Sequence, residues 1–535
     1  MVTPNYFRAW ISGKSIGVLM LLLFILFTGM AQFASFALIQ FHVISYYGVQ
    51  SEDVSLAFQM TYVGILATLP LQFRLLNRFD TRNYLLVALL LGILLNLGCA
   101  LTASFEVFIL LRFLIGITTC MIAGCMLIAI FSVLPKDKGM LIGVSFFFGT
   151  ILSIGILVGT VAAWVVERMD WQSLYYYLIL LQTISIIICL LIFNQRTHPK
   201  KIPLFQFDLL SAILFVGFGI SIAYTMIYGP RYDWFDTVEI QISSVLSGLF
   251  LGVFIAHQKR LKRPSIDLRS LRFGKFWFGL LLLVVFYGIK DTINLLYGYA
   301  AGVLGWSSSD IVSLGLFNVC GVILGTFLAV RALLHNKQHL PKLLLVGFGL
   351  LLFYHLWIYW NLTIDLSYRD LVSPIGIQGL ASGLLFAPII VLCMASLPSF
   401  TGMTGIIICA YARFFASLNS IAGFYTLQEN FKEEFRVGYL KNISTFNPTL
   451  NEQLRLYQDL LVAQGYGPGE AMAVAQGMVG RSIGLNSLLL TYRAIFMLSV
   501  YLILATLAVL VLFAVVNKIK SKGRPTKVNA AVEGQ

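Results

Sequence analysis

The sequence predicts an all-α integral membrane protein with fourteen transmembrane helices. Of its 535 residues, 59% are hydrophobic and only 11% are charged, and the mean hydropathy is +0.87. Ordinary soluble domains carry about 25% charged residues. The apolar runs are long enough to cross a bilayer, which takes about 20 helical residues. The loops between them alternate in basic charge, as the loops of a multi-span protein do.

Fourteen apolar runs fit this length. The first run is longer than the core of a signal peptide, so we expect it to remain in the protein as a true span. The predicted spans are 17–39, 54–73, 83–103, 106–133, 139–164, 172–194, 207–229, 236–257, 275–300, 310–333, 341–362, 371–397, 402–427 and 493–516.

Basic residues concentrate in alternate loops, and this predicts the orientation. Lysine and arginine in short loops favour the cytoplasmic side. A cytoplasmic N-terminus puts Arg74, Arg78 and Arg82 on the inside, together with the basic residues of 259–275 and 518–527. The formal net charge of +14 is therefore a topology signal and predicts no nucleic-acid partner. We expect both termini in the cytoplasm and the protein among the lipids of a cell membrane, most simply a bacterial inner membrane.

The chain also repeats itself weakly. The stretch "RFLIGITTCMIAGCMLIAIFSVLPKDKGM" is similar to "PIGIQGLASGLLFAPIIVLCMASLPSFTGM", and a constant offset of 263 matches Gly116 with Gly379. Both copies run from outside to inside, and parallel halves around a central site are a transporter design. The predicted segments are the N-terminus 1–16, a six-helix bundle 17–194, an inserted two-helix hairpin with a basic linker 195–274, a second six-helix bundle 275–516 and a basic tail 517–535.

Several motifs, in their order, resemble the fourteen-helix drug:proton antiporter branch of the major facilitator superfamily. They are "FILLRFLIGI" with Arg112, "MDWQSLYYYL", the hairpin and linker "FDLLSAILF…YGPRYDW…KRPSIDLRSLRFGKF", "GIQGLASGLLFAP", "ICAYARFFASLNS" with Arg413, and "PGEAMAVAQGMVGRS". The resemblance covers nearly the whole chain. It implies the major facilitator fold and secondary transport by alternating access, with no cofactor and no enzymatic activity.

Three of the family's motifs are altered in this sequence. Met30 stands where the drug exporters carry an aspartate in the first helix, and Thr160 replaces the proline of the fifth-helix motif, although Gly155 and Gly159 remain. The loop after the second span keeps its three arginines but lacks the family's glycine and aspartate. The resemblance therefore supports the family's architecture for this chain more strongly than it supports proton antiport or outward transport.

Asp291 is the acidic residue that the predicted spans place deep in the hydrocarbon zone, and Lys290 stands beside it in "FYGIKDTINLLYG". A charge at bilayer depth is costly, so it is paired or used. We expect the two side chains to project about 100° apart on a helix and to face each other poorly. The hypothesis is that Asp291 is the proton-coupling carboxylate and that Lys290 tunes its proton affinity. The structural alternative is that each charge pairs across helices only to be tolerated.

Two further arginines, Arg112 and Arg413, lie inside predicted spans. Bonding to carbonyls at helix breaks is the structural alternative for both. The resemblance implies a role for Arg112 in conformational and proton coupling, and a structural role for Arg413 in the domain core. For Arg74, Arg78, Arg82, Gly155 and Gly159 the resemblance implies a structural or gating role.

Polar residues inside the spans are candidates to line a substrate cavity. Asn294 is the strongest, because it lies within one helical turn of Asp291. The other candidates are Gln32, Gln378 and Asn318. The seven cysteines all fall in apolar runs with no metal-site spacing, so we expect no metal site.

The outside segment 428–492 is too long for a simple connector. We expect "LNEQLRLYQDLLVAQ" and "GEAMAVAQGMVGRSIG" to form two short amphipathic helices, and a periplasmic export component is a hypothetical partner. For the whole protein, proton-coupled export of amphipathic or toxic small molecules is the leading hypothesis. Transport of one specific metabolite, peptide or siderophore is the second. A non-transporting sensor or scaffold is a third, which substrate-dependent flux would exclude.

Overall fold

The computed structural model is almost entirely helical. It describes residues 6–8, 10–11, 15–35, 39–135, 139–195, 208–262, 264–398, 401–441, 443 and 447–522. Most of the predicted N-terminal segment and the end of the basic tail lie outside these residues. Within them, fourteen spans are long and apolar enough to cross a membrane, which is the number predicted from the sequence.

The described residues form seventeen α-helices, together with short 3-10 turns. The first half contains α1 (Ser15–Ala34), α2 (Gln40–Tyr47), α3 (Ser51–Leu76), α4 (Thr81–Leu101), α5 (Phe105–Val133), α6 (Gly139–Val166) and α7 (Ser173–Ile192). An inserted hairpin of α8 (Leu209–Tyr228) and α9 (Val238–Arg260) follows. The second half contains α10 (Gly274–Lys290), α11 (Thr292–Gly302), α12 (Ser308–His335), α13 (Leu340–Asn361), α14 (Tyr368–Ala395), α15 (Gly402–Leu440), α16 (Pro448–Ala463) and α17 (Pro468–Lys522).

Local capping fixes where several spans begin. The Ser104 hydroxyl accepts from the Val107 amide at the start of α5. Ser307 and Asp310 form a reciprocal capping box at the start of α12. Such caps satisfy backbone donors that a helix leaves unpaired at its N-terminus. The two caps therefore mark where α5 and α12 begin.

A glycine crossing holds α3 against α5 in the first half. A Cβ on Gly116 would lie 2.1 Å from the Thr61 carbonyl oxygen, and a Cβ on Gly64 would lie 2.2 Å from the Phe113 carbonyl oxygen. No side chain fits at either position. Small residues at a helix crossing let two backbones approach closely, which is how helices pack where lipid removes the hydrophobic drive.

The same crossing recurs between α12 and α14 in the second half. A Cβ on Gly379 would lie 2.1 Å from the Asn318 carbonyl oxygen, and a Cβ on Gly321 would lie 2.3 Å from the Gly376 carbonyl oxygen. Gly116 and Gly379 are the glycines that the sequence repeat aligns. The repeat therefore corresponds to an equivalent backbone contact in each half.

The inserted hairpin packs across the seam between the halves. Its α8 places Gly219 against Val63 of α3. On the other side of the seam, Phe215 stacks on Tyr411 of α15 with ring centroids 4.2 Å apart. The Tyr228 hydroxyl also donates to Asp53 at the start of α3. The hairpin thus contacts both halves.

The long segment after span 13 is more regular than expected. α15 continues to Leu440, and α17 is one helix of 55 residues. The stretch "GEAMAVAQGMVGRSIG" is therefore not a separate short helix, and that expectation is wrong. No proline interrupts the chain between this stretch and the last span, so helical hydrogen bonding continues through it. α16 packs beside α17, and the Gln458 amide donates to the Pro468 carbonyl at 3.1 Å.

The glycine crossing gives a first prediction. Gly379→Ala forces a methyl group against the Asn318 carbonyl, and overpacking of this kind costs about 1–3 kcal/mol. Thermal unfolding of the detergent-purified protein should therefore show a lower midpoint. The control is Gly155→Ala in α6, because a Cβ there meets nothing within 4 Å. Equal midpoints for the two variants would contradict the tight crossing.

Candidate functional site

The predicted span 275–300 is broken at its centre. α10 ends at Lys290, α11 begins at Thr292, and Asp291 lies between them with φ −74° and ψ −4°. The break interrupts the helical hydrogen-bond ladder and frees carbonyl groups. The Gln378 amide of α14 donates to the freed Lys290 carbonyl at 3.0 Å. The expectation of one continuous helix here is thus wrong, because a side chain of another helix replaces the backbone donor.

Lys290 and Asp291 form an ion pair at this break. The Lys290 Nζ lies 2.9 Å from Asp291 Oδ1, with the side chains 20% and 17% exposed. We expected the two side chains to diverge, and that expectation is wrong. The 100° separation belongs to a regular helix, and the helix ends between them. Each charge is therefore partly compensated by its neighbour in sequence.

Arg413 of α15 brings a second cation to the same place. Its guanidinium carbon lies 5.1 Å from the centre of the Tyr287 ring and 5.6 Å from the centre of the Tyr62 ring. Lys290 Nζ lies 5.8 Å from the same Tyr287 ring. Both cations therefore use aromatic faces, which attract them through the ring quadrupole. The central cluster is defined here as Tyr62, Tyr287, Lys290, Asp291 and Arg413.

The charge of the central cluster does not balance. Among the described residues, no carboxylate lies within 4.0 Å of the Arg413 guanidinium. Asp291 makes its ion pair with Lys290. Two cations and one anion leave one net positive charge. Since Tyr62 belongs to α3 and the others to the second half, this charge lies at the contact between the halves.

Further residues of the second half support the break. The Asn318 amide of α12 donates to Gln378 Oε1 at 2.5 Å and to the Ile375 carbonyl at 3.0 Å. Gln378 and Asn318 are buried at 1% and 6% exposure, so in this conformation they act as supports. Asn294 is exposed on α11, one turn beyond Asp291. Of these three cavity candidates, only Asn294 is exposed.

Arg112 supports the first helix of the other half in a comparable way. Its guanidinium donates to the Gln32 carbonyl at 2.8 Å, to the Phe33 carbonyl at 2.7 Å and to the Ser35 hydroxyl at 3.1 Å. These carbonyls end α1, where a cation also complements the helix dipole. Arg112 thus binds α1 as Gln378 binds α10. These three bonds hold Arg112 at the C-terminal end of α1.

Gln32, the remaining cavity candidate, is fully buried in the first half. Its amide donates to Thr119 at 2.9 Å, and it accepts from Gln182 at 2.8 Å. The Asn96 amide joins the two glutamines from α4. All four side chains are almost fully buried. The network therefore fixes α1 against α4, α5 and α7 and offers no surface to a solute in this conformation.

The residues to which the resemblance gives a structural or gating role lie away from the central cluster. Arg74 donates to the Pro264 carbonyl at 3.4 Å, which ties α3 to the linker that follows the hairpin. Arg78 lies in the turn between α3 and α4, and Arg82 is the second residue of α4. Gly155 and Gly159 lie in α6, and a Cβ on Gly155 would meet nothing.

Four important residues were not singled out from the sequence. They are Tyr62, Tyr287, Thr292 and His355, of which the last two form a hydrogen-bonded pair beneath the break. With 24 tyrosines in the chain, nothing in the sequence distinguishes two of them. His355, however, lies in the middle of the predicted span 341–362. A titratable residue at that depth was a usable signal.

Comparison with known proteins gives one consistent family. The Major Facilitator Superfamily profile matches residues 20–424. Over 365 residues the chain is 24% identical to an uncharacterized MFS-type transporter, YhcA of Bacillus subtilis, covering 67% of this chain and 66% of that one. It is 22% identical to multidrug export protein EmrB of Escherichia coli, covering 57% of each. It is 24% identical to lincomycin resistance protein LmrB of Listeria monocytogenes, covering 38% and 42%. Each match spans less than two thirds of the relative.

Solved structures show the same fold. A POT family transporter in complex with a thioalcohol-conjugated peptide superposes with a TM-score of 0.56 at 15% identity, covering 78% of this chain and 91% of that one. A POT family transporter in complex with 5-aminolevulinic acid superposes with a TM-score of 0.55 at 13% identity, covering 91% and 96%. At these identities the likeness establishes the fold alone.

The Gln378 support gives a second prediction. Gln378→Met keeps the side-chain length but leaves the Lys290 carbonyl without its side-chain donor and removes one of the two acceptors of the Asn318 amide. A buried polar group left unpaired costs about 1–3 kcal/mol, so the thermal midpoint of the purified protein should fall. Gln338→Met, at an exposed position, is the control. If both variants melt like the wild type, Gln378 does not stabilise the break.

Proposed function

The chain belongs to the major facilitator superfamily of membrane transporters, and on this premise we propose that it exports amphipathic or toxic small molecules in exchange for protons. The observation that carries the proposal is the position of Asp291. It is a carboxylate at a helix break, within the hydrophobic span, in a cluster that joins the two halves. Transporters place their substrate and ion sites at such interrupted helices near the bilayer midplane.

Protonation of Asp291 would change the balance of the central cluster. The ionised carboxylate holds Lys290 at 2.9 Å and limits the cluster to one net positive charge. A proton on Asp291 releases Lys290 and leaves two cations around the Tyr287 ring. Like charges in a medium of low dielectric repel strongly. The protonated cluster therefore favours a different arrangement of α10 and α15.

The contact between the halves is suited to transmit such a change. α3 and α15 meet through few polar bonds: the Gln59 amide donates to Ser417 at 3.3 Å, and the Tyr411 hydroxyl donates to the Leu66 carbonyl at 3.3 Å. Each half is itself locked by its glycine crossing. Two halves that are each rigid can rock against each other, which is the motion that alternating access requires.

The distant relatives support export, since two of them are named as a multidrug export protein and a lincomycin resistance protein. Transport of one specific metabolite, peptide or siderophore remains the second candidate. Met30 replaces the first-helix aspartate of the drug exporters. The central cluster also carries a net positive charge, which is not what a site for cationic solutes alone would have. We place both termini in the cytoplasm, on the distribution of basic loops, and the protein in a bacterial inner membrane.

The helical extension formed by α16 and the first part of α17 follows the thirteenth span, and the proposed topology therefore places it on the side opposite the start of α1. It exposes apolar side chains, including Leu456 and Leu460 at 56% and 55%. Apolar side chains that are exposed next to each other are typical of an interaction surface. A periplasmic export component is the partner that we propose for it.

The third prediction tests Asp291 directly. An efflux-deficient bacterial host expressing the wild type should survive higher concentrations of some dyes, detergents or antibiotics than the host with empty vector. Asp291→Asn cannot release a proton, so it should reduce protection to the vector level. Growth inhibition across the panel is the measurement, with expression checked by immunoblot.

Two controls make this experiment decisive. Asp236→Asn removes an exposed carboxylate from the α8–α9 turn and should protect as the wild type does. Lys290→Ala tests the tuning cation and should alter the pH dependence of protection. Full protection by Asp291→Asn would contradict proton coupling at this residue, while leaving transport intact. Protection against nothing by the wild type would instead favour the specific-solute candidate.

A further inference from the structure

Arg413 is the cation of the central cluster that makes no ion pair. A guanidinium has five N–H donors. In the described part of the chain, no carboxylate lies within 4.0 Å of it, and no residue accepts a hydrogen bond from it. Arg413 is only half-buried, whereas Arg112 is fully buried and donates to three acceptors of α1. The donors of Arg112 therefore hold a helix in place, and those of Arg413 are available to a ligand.

We propose that Arg413 binds the anionic group of the transported solute, and that the solute is an amphipathic carboxylate. The inference rests on the proposed transport function, because it assigns a charge to the solute that the central cluster carries. It gives Arg413 a direct contact with the solute, in place of the structural role that the resemblance implies.

The charge of the central cluster selects an anion. Asp291 pairs with Lys290 at 2.9 Å, so the net positive charge belongs to Arg413. The faces of Tyr62 and Tyr287 offset only part of the cost of holding a guanidinium away from water. One carboxylate brings the charge of the cluster to zero. A cationic solute adds a like charge and is repelled.

The donors at the cluster have the geometry that a carboxylate requires. The planar fork of a guanidinium matches the two oxygens of a carboxylate, and such paired bonds are among the stronger ones in proteins. The Tyr287 ring, 5.1 Å from the guanidinium, carries a buried hydroxyl that has no hydrogen-bond partner in the described structure. α11 begins at Thr292, beside the cluster, and the N-terminal end of a helix carries partial positive charge of the same sign.

Aromatic rings extend from the cluster into both halves. Phe33 of α1 lies 5.5 Å from Tyr62, measured between ring centroids. Phe386 of α14 lies 5.9 Å from Tyr287 and 4.8 Å from Phe148 of α6. These rings keep the surroundings of the guanidinium apolar, which strengthens its bond to an anion. They also favour a solute whose anionic group is attached to an apolar body.

This mode of binding is compatible with exchange for protons. In the present arrangement Asp291 is occupied by Lys290, and Arg413 alone is left to the anion. A proton on Asp291 releases Lys290, and repulsion between the two cations then favours a different arrangement of α10 and α15. Separation of these helices also moves Arg413 away from Tyr287 and takes the anion site apart. Solute and proton are thus favoured by different arrangements, as exchange requires.

The fourth prediction compares three probes that share one apolar body. They are naphthylacetate, a carboxylate, naphthylacetamide, which is neutral, and naphthylethylammonium, a cation. The purified full-length protein should bind naphthylacetate about tenfold more tightly than the other two, because only the carboxylate pairs with the guanidinium fork. Equilibrium dialysis at neutral pH measures the affinities, with protein-free detergent micelles as the blank.

Matched variants identify the group responsible. Arg413→Gln should lower the affinity for naphthylacetate to that for naphthylacetamide. Arg413→Lys should retain part of the preference, since it keeps the charge and loses the fork. Tyr287→Phe keeps the ring and should weaken naphthylacetate binding by about threefold, which tests the site even where Arg413 is needed for folding. Arg455→Gln, at an exposed position of α16, should bind as the wild type does.

Several results would overturn the anion site. They are equal affinities of the wild type for the three probes, no binding of naphthylacetate, and unchanged binding in a folded Arg413→Gln variant. Acetate and chloride carry the charge without the apolar body and should not displace naphthylacetate. Displacement by either at equal concentration would indicate a general anion site and would overturn the amphipathic class. The dialysis uses no proton gradient, so failure of the export proposal appears only in the growth assay.

Discussion

Backbone hydrogen bonding in the absence of water is the constraint on which this structure depends. A helix broken inside a membrane exposes carbonyl groups that lipid cannot satisfy. Here the break at Asp291 is tolerated because Gln378 and Thr292 supply donors to the carbonyls of Lys290 and Ile289. The chemistry of the central cluster follows from this, since the break brings the Lys290 and Asp291 side chains together.

The two halves use different side chains to supply donors to the carbonyl groups at a helix end. In the first half a buried arginine, Arg112, closes the end of α1, and in the second half the neutral Gln378 closes the end of α10. Each donor lies on the helix that carries the aligned glycine, Arg112 on α5 with Gly116 and Gln378 on α14 with Gly379. The repeat has thus preserved the backbone geometry while the charge pattern of the two halves has diverged.

The sequence was sufficient for the number of spans, the fold class and the family, because these depend on hydropathy, charge and motif order. It also located Lys290 and Asp291 as the unusual pair. It did not reveal the break, since neither flanking residue is a proline and the donors that permit it come from α14 and from Thr292. The ion pair was missed for the same reason: side-chain directions were inferred from a regular helix that ends between the two residues.

Other features of the site depend on tertiary contacts that no local pattern encodes. Gln32 and Gln378 have the polarity expected of cavity residues, yet the side chains of both form hydrogen bonds between helices. Tyr62 and Tyr287 matter only because α3 and α10 bring their rings to Arg413. The length of α17 was hidden by the polar composition of its first part, which reads as a separate amphipathic segment.

The continuity of α17 has a mechanical consequence. Roughly 25 residues of this helix precede the predicted last span, 493–516, and at 1.5 Å per residue they extend for about 37 Å. Because the helix is continuous, its outer part would tilt as one body with the span, about a point at the membrane surface. A tilt of about 10° within the bundle would swing the far end by about 6 Å. A small rearrangement of the spans would therefore produce a larger displacement at the outer end of α17.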